Sequence, residues 1–450
     1  MKQFSTFLGR GVIVRILFYS VLLTGSFVAC RKSGHPFGEG KKPSSYSADV
    51  IDKWLTLQIR LFKDATGISN GAFARPFAYA GITAFESLDP VDVSWKKRYN
   101  GLVDLPEPDR AKRYYWPASV NAALASFNRD FFTSSNSNAV DLAAIDSLEN
   151  ALNITFVTED PAEISRSAAF GRAIAAAVFA WSETDGFKEN NAMAYTVPVG
   201  PGLWQPTPPA FAKPIGPYWG KDRTIIAGST DNTLPGAPLA YSEDTTSSFY
   251  KMVNDLYVAS LHLTDDQKSR ALFWRDVPGV TTPGHWLRIV QQVLRQTNSH
   301  LDKAALAYAL AGICLNDGNI SVMQTKYTYN LVRPVTYIRN VIGASSWLSF
   351  IPTPAHPEYS SAHSVVSAAA SEALTAIFGN IGSFTDHTYD YLAFAPRTFS
   401  SFRAIAADAG NSRFYGGIHY QPSIDAGLEQ GRKVAANILH ALEFNVVKNY

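Results

Sequence analysis

Toward the C-terminal end of the chain, three short segments carry side chains suited to holding a tetrahedral oxyanion and moving protons around it. In the first, TKYTYNLVRPVTYI, Lys326 and Arg333 stand seven residues apart. On a helix of about 3.6 residues per turn both project from one face, and two stacked cations repel unless an anion lies between them. The pair alone reads equally as a solvated basic face. Pro334 follows Arg333 directly, where such a helix ends or kinks. In the second segment, HPEYSSAHSVVSAAASEAL, Ser361 and Ala362 fall where a helical run begins. A helix N-terminus offers unpaired N–H groups and partial positive charge, a natural seat for an anion. Ser361 brings a hydroxyl and Ala362 a backbone N–H, although a serine there is also an ordinary N-cap. His363 sits in the first turn, where a general acid or base would stand; a lone histidine there is also compatible with a core or surface role. In the third segment, NSRFYGGIHYQPSIDAGLEQGRKVA, Arg413 and His419 are six residues apart and would diverge on a straight helix. Gly416 and Gly417 interrupt the run and permit a turn that returns His419 toward the same point.

The elements that must position these groups read as helices. SADVIDKWLTLQIRLFKDA, NGAFARPFAYAGITAFESL, YYWPASVNAALASFNRDFF and AEISRSAAFGRAIAAAVFAWSETDGF carry helical apolar spacing. So do TSSFYKMVNDLYVASL, PGHWLRIVQQVLRQ and DKAALAYALAGICL farther on. Alternating runs of Val, Ile and Thr, which would mark strands, are scarce. The fold expected is all-α, helical bundles packed on one another, with the site in the C-terminal bundle. Between the helical halves, YTVPVGPGLWQPTPPAFAKPIGPYWG is too rich in Pro and Gly for regular structure. Its aromatics argue for an ordered strap anchored by Trp204 and Trp219. The organisation expected is therefore a signal segment 1–30, a tether 31–45, an N-terminal helical region 46–193, the strap 194–240 and a C-terminal bundle 241–450.

A chain of 450 residues with 46% hydrophobic content can bury a large core. Its net charge of +2 leaves no basic stripe, which argues against a nucleic-acid partner. The start, MKQFSTFLGRGVIVR followed by the apolar run Ile16 to Ala29, has the form of a secretory signal. Cys30 directly after Ala29 resembles a bacterial lipoprotein acceptor, which implies export to the cell envelope and a lipid tether. Cys314, the one other cysteine, lies in an apolar helical run and reads as a buried inert thiol.

Taken together, Lys-x6-Arg-Pro, Ser-x-His and Ser-Arg-x5-His, in that order, resemble the signature of the superfamily of type 2 phosphatidic acid phosphatases and vanadium-dependent haloperoxidases. PGHW, KYTYNLVRPVTYI, HPEYSSAHS and SRFYGGIHY are similar in wording to its bacterial haloperoxidase-like branch. The resemblance implies that Lys326, Arg333 and Arg413 hold the equatorial oxygens of the oxyanion, completed by Ser361 and the N–H of Ala362. It implies that His419 binds the central atom and that His363 is the acid/base opposite. The same pocket supports two chemistries. In a haloperoxidase, His419 is a ligand to vanadate, and hydrogen peroxide oxidises a halide. In an acid phosphatase no cofactor is needed; His419 attacks the phosphorus of a phosphate ester to give a phosphohistidine. A third reading is a non-catalytic helical surface lipoprotein that binds a ligand, which has no use for both histidines.

Within the resemblance, position 356 is His in the algal bromoperoxidase type and Phe in the fungal chloroperoxidase type, so His356 points to bromide or iodide. Asp425 could orient His419 or simply open the following helix, and Glu358, Tyr359 and Tyr420 are candidates to line the entrance. Asp317 could support the cradle or cap a helix. Two departures stand out: Ser360-Ser361-Ala362-His363 replaces the usual Pro-Ser-Gly-His, and Met323 stands where the haloperoxidases often place Trp. The family also makes a homodimer plausible.

Overall fold

The structure, a computed structural model, describes residues 40–444 apart from 89–94, 103 and 277–279. The signal segment, Cys30 and most of the tether lie outside the described residues. Among those described are α1 (Asp49–Asp64), α2 (Ala74–Glu86), α3 (Trp116–Phe131), α4 (Ala139–Thr155), α5 (Pro161–Ser182), α6 (Phe187–Ala192) and α7 (Ser248–Leu261). There follow α8 (Asp265–Phe273), α9 (Thr282–Gln296), α10 (Leu301–Tyr329), α11 (Pro334–Tyr337), α12 (Ala362–Phe378), α13 (Phe402–Tyr415) and α14 (Gln421–Ala441). A small antiparallel ribbon, β1 (Phe384–Asp386) with β2 (Arg397–Phe399), pairs Phe384 with Phe399. The chain is all-α, as its periodicity implies. No described helix is long and apolar enough to cross a membrane.

Helix α10 is central because it is apolar all round: Leu306, Leu310, Ile313, Cys314 and Leu315 are all buried. Each such large side chain contributes roughly 1.5–3 kcal/mol of burial. Helix α2 lies against it at glycine contacts. A Cβ on Gly81 would sit 2.7 Å from Tyr308 O, and one on Gly312 would sit 2.7 Å from Ala78 Cα. One continuous core runs from α1 through α10 and α12 to α14, so the N-terminal helices buttress the helix that carries Lys326. Helices α12 and α14 approach as closely; a Cβ on Gly427 would lie 2.8 Å from Ser361 O.

Residues 194–240 are irregular apart from a 3-10 turn, Trp219–Lys221. Trp204 and Trp219 are buried. The segment is stitched to the neighbourhood of the signature: Trp204 N–H donates to Asn330 O (2.8 Å), Ile215 N–H to Ala355 O (2.9 Å) and Tyr327 O–H to Ile215 O (2.6 Å). Asp317 supports this segment rather than the cradle. Its buried carboxylate accepts the N–H groups of Ile225 and Ile226 at 2.9 and 3.1 Å.

Candidate active site

Each signature segment reaches the site through a helix end. Helix α10 stops at Tyr329 because Asn330 adopts the left-handed conformation at φ +49°. Arg333 is then extended, as a residue before proline must be, and caps α11. This corrects the expectation that Lys326 and Arg333 share a helix face: they belong to different elements and meet across a turn. Ser361 is the N-cap of α12, its hydroxyl accepting from Ser364 N–H at 3.4 Å, and Ala362 and His363 open that helix. Arg413 lies in the last turn of α13. Gly417, at φ +74°, turns the chain so that His419 falls in the short link before α14.

The structure brings the three segments together in a buried cluster. The Arg333 guanidinium donates through Nη1 to Ile418 O (2.8 Å) and meets His419 Nε2 at 3.2 Å. Its Nη2 meets His356 Nδ1 at 3.0 Å and its Nε donates to His356 O at 2.9 Å. Because a guanidinium only donates, His419 Nε2 must present its lone pair and Nδ1 must carry the proton. That proton goes to Glu358 Oε1 at 2.8 Å. Glu358 also accepts Tyr420 N–H (3.0 Å) and Ser423 O–H (2.6 Å). Burial raises the pKa of Glu358, and Ser423, Arg333 and Lys326 pull it back. Three donors on two oxygens mark the anionic carboxylate. Burial, then Arg333 and Lys326, hold the His419 imidazole well below the usual histidine range, so it is neutral.

Glu358, not Asp425, therefore orients His419. Asp425 is exposed on the outer face of α14, 2.9 Å from Gln421 Nε2; Ser423, Gly427 and Gln430 occupy the inner face. Glu358, Tyr359 and Tyr420 are likewise buried and do not line an entrance. The partly exposed members are His356 and Ala362, which mark the mouth. The Ala362 methyl packs with an apolar cluster that includes Met323, Tyr327, Ile215 and Trp219, so the side chain that departs from the family pattern is absorbed by the strap wall.

Lys326 is fully buried, and its ammonium donates to the carbonyls of Pro357, Glu358 and Ser360. All three N–H bonds are spent on the loop before α12, so Lys326 reaches the site as charge and as a strut. Burial, then Arg333, push its pKa well below the usual lysine range. Burial likewise brings Arg333 and Arg413 down to about 10.

His363 stands beside Arg413. His363 Nε2 is 3.0 Å from Trp274 O and 2.7 Å from Thr282 Oγ1, and Arg413 Nη1 donates to the same carbonyl at 2.7 Å. A carbonyl only accepts, so Nε2 carries the proton. The Thr282 hydroxyl passes on to Asp276 Oδ1 at 2.9 Å, and Asp276 itself lies 3.9 Å from Nε2. Burial, then Arg413, lower the His363 pKa to about 3. Sequence reasoning missed Trp274, Asp276 and Thr282. The one signal was FWRD placed shortly before TTPGHW.

A groove of about 1090 Å³ between α1 and α4, lined in part by Lys53, Arg60, Val140 and Arg288, includes none of these residues. The chemistry is located by the convergence of charge, not by volume.

Residues 306–446 match the family model of the second helical-bundle domain of vanadium chloroperoxidase (VCPO). The chain is similar to a bacterial vanadium-dependent iodoperoxidase of known structure. The TM-score is 0.80 and the identity 32%, over 88% of this chain and 96% of that one. A bacterial vanadium-dependent chloroperoxidase shares the fold at a TM-score of 0.64 and 16% identity, over 84% and 93% of the two chains. No curated protein matches by sequence.

Proposed function

Because this chain belongs to the vanadium-dependent haloperoxidase family, we propose that it oxidises iodide or bromide with hydrogen peroxide at a vanadate held by His419. The donor set fits such an anion. Lys326 and Arg333 are buried cations facing the buried Glu358 carboxylate, Arg413 is a third buried cation facing the partly exposed Asp276, and Arg413 Nε is buried without a partner among the described residues. Uncompensated buried charge of this kind costs several kcal/mol, and a multiply charged oxyanion offsets it. When bound, vanadate supplies a Lewis acid that activates peroxide toward the halide without a change in its own oxidation state.

The observation that carries the reading is the His419 tautomer. Glu358 accepts the Nδ1–H hydrogen bond and leaves the Nε2 lone pair aimed into the cation cluster, the form a metal ligand needs. Arg333 and Arg413 hold the anion by charge-assisted hydrogen bonds. Ser361 and the N–H of Ala362 close the cradle at the start of α12. His363, neutral at rest, takes the proton that peroxide gives up and returns it as the second peroxide oxygen leaves as water. The halide loses two electrons and peroxide gains them. His356, mostly buried and held by Arg333, is the side chain proposed to meet the incoming halide. Iodide is favoured by the likeness to an iodoperoxidase and by histidine at this position.

The test is to supply the purified full chain with vanadate and peroxide and to follow oxidation of iodide, bromide and chloride, with phosphate-ester hydrolysis in parallel. Halide oxidation that disappears in His419→Ala supports the proposal. Ester turnover inhibited by vanadate, without halide oxidation, would replace it with the phosphatase chemistry of the same superfamily. Neither activity would leave a ligand-binding protein. Export and lipid attachment at Cys30 are a separate proposal, tested by the N-terminal mass of the mature protein from membranes.

A further inference from the structure

Two donors of the site, His363 Nε2 and Arg413 Nη1, converge on one backbone oxygen, that of Trp274, at 3.0 and 2.7 Å. Trp274 caps α8, where its backbone N–H donates to Arg270 O at 3.3 Å, and the side chain of the same residue adds a second hold on the carbonyl. The indole is buried and held on two sides. Its N–H donates to Asp408 Oδ2 of α13 at 2.8 Å, and Arg397 and Arg270 hold that carboxylate in turn at 3.2 and 3.1 Å. Its face stacks on the His285 ring, with centroids 4.3 Å apart and planes within 20°. His285 is locked by Asp386 Oδ2 at 2.7 Å, and Gln292 and Thr388 complete the coordination of that carboxylate.

We propose that Trp274 is a positioning residue: its clamped indole holds the Trp274 carbonyl where it sets the Nε2–H tautomer of His363 and the aim of Arg413. The proposal deepens the haloperoxidase reading and rests on it for the part concerning turnover. A mobile carbonyl would free both donors. His363 would then exchange tautomers, and its lone pair would no longer be confined to Nδ1. Arg413, whose Nε is already without a partner, would lose the contact that fixes its Nη1. Asp408 bears on the site through this indole directly and Asp386 by way of His285, so the β1–β2 ribbon and the middle of α13 contribute to the proton-transfer side of the site. The groups facing His363 directly are Arg413, Asp276, Thr282 and the Trp274 carbonyl.

The experiment compares Trp274→Leu with Trp274→Phe in the full chain, with thermal melting as the check on folding. Phenylalanine keeps the stack on His285 and loses only the N–H; leucine loses both. Two quantities are read. The first is the imidazole N–H resonance of His363 in histidine-labelled resting protein, assigned with His363→Gln. The second is kcat and KM for peroxide with vanadate supplied at saturation. The expected result is a sharp N–H signal in the native chain and in Trp274→Phe. In Trp274→Leu that signal is lost to exchange, and kcat falls by about tenfold or more with KM nearly unchanged. If Trp274→Leu does not fold, Trp274→Met, which fills more of the space but neither stacks nor donates, takes its place. An unmoved N–H signal and a kcat within about threefold of native in the folded variant would overturn the proposal. The resonance is read without cofactor, so a chain that turned over no halide would refute the functional reading, while loss or persistence of the signal in Trp274→Leu would by itself support or overturn the positioning role.

Discussion

Two buried histidine–carboxylate pairs lie in this molecule, with nearly the same geometry and different surroundings. His419 meets Glu358 at 2.8 Å, and His285 meets Asp386 at 2.7 Å; all four side chains are almost wholly excluded from solvent. Around His419 stand Arg333, Lys326 and Arg413, which with burial hold the imidazole neutral and its free nitrogen available. Around His285 stand Trp274, Phe273 and Tyr389, aromatic faces that offer no ligand position. Attraction from His285, with hydrogen bonds from His285 and Thr388, outweighs burial and brings Asp386 below its ordinary value. A histidine–acid pair is therefore not a function in itself. The neighbours decide whether it presents a lone pair to an anion or braces a ring.

The sharpest way to break this contrast is to remove each histidine. His419→Ala should abolish vanadate binding, with a loss of more than about a hundredfold measured by calorimetry, while leaving a folded chain. Glu358→Gln should cost about 10–100-fold in vanadate affinity, because the carboxylate that fixes the tautomer and balances the cations is gone. His285→Ala should act mainly on stability. The Asp386 carboxylate is left buried without its imidazole partner, at a cost of about 1–3 kcal/mol read in denaturant unfolding, and vanadate affinity per folded molecule should change far less than in His419→Ala.

A pH titration of stability sharpens the contrast further. The His363 pKa falls from 6.5 to about 3 on folding. Between those values the unfolded chain binds more protons than the folded one. Stability contributed at His363 is thus present above about pH 6.5 and lost as pH falls toward 3. Denaturant midpoints across that range should drop on acidification, and the slope should flatten in His363→Gln. The smallest effect belongs to Asp425→Asn, on the exposed face of α14: affinity and turnover should stay within about twofold of native.

Only the His419 neighbourhood of this contrast is legible in the sequence; the His285–Asp386 pair joins residues 101 apart and leaves no local signal. Ser361, His363, Arg413 and His419 are legible as candidates because local chain chemistry singles them out: a cap, a first helical turn and a glycine break. Arg333 was found for the wrong reason, since helical spacing was invoked where Asn330 and Pro334 impose a turn. Glu358 was misplaced at an entrance because its partner is 61 residues away, and no periodicity reports a contact of that separation. Asp425 was proposed because it lies close to His419 along the chain, yet α14 carries it around to solvent. The Trp274 carbonyl is invisible for a deeper reason: it is a backbone atom whose side-chain donors, His363 and Arg413, lie 89 and 139 residues away along the chain.

The most direct measurement is calorimetric titration of the full chain with orthovanadate, repeated in Arg333→Ala and Arg413→Ala, which alter two of the three segments separately. The account expects one site per native chain and the loss of that site in each variant. Native protein that binds no vanadate, or variants that bind it as tightly as native, would contradict the claim that the three segments form a single oxyanion site.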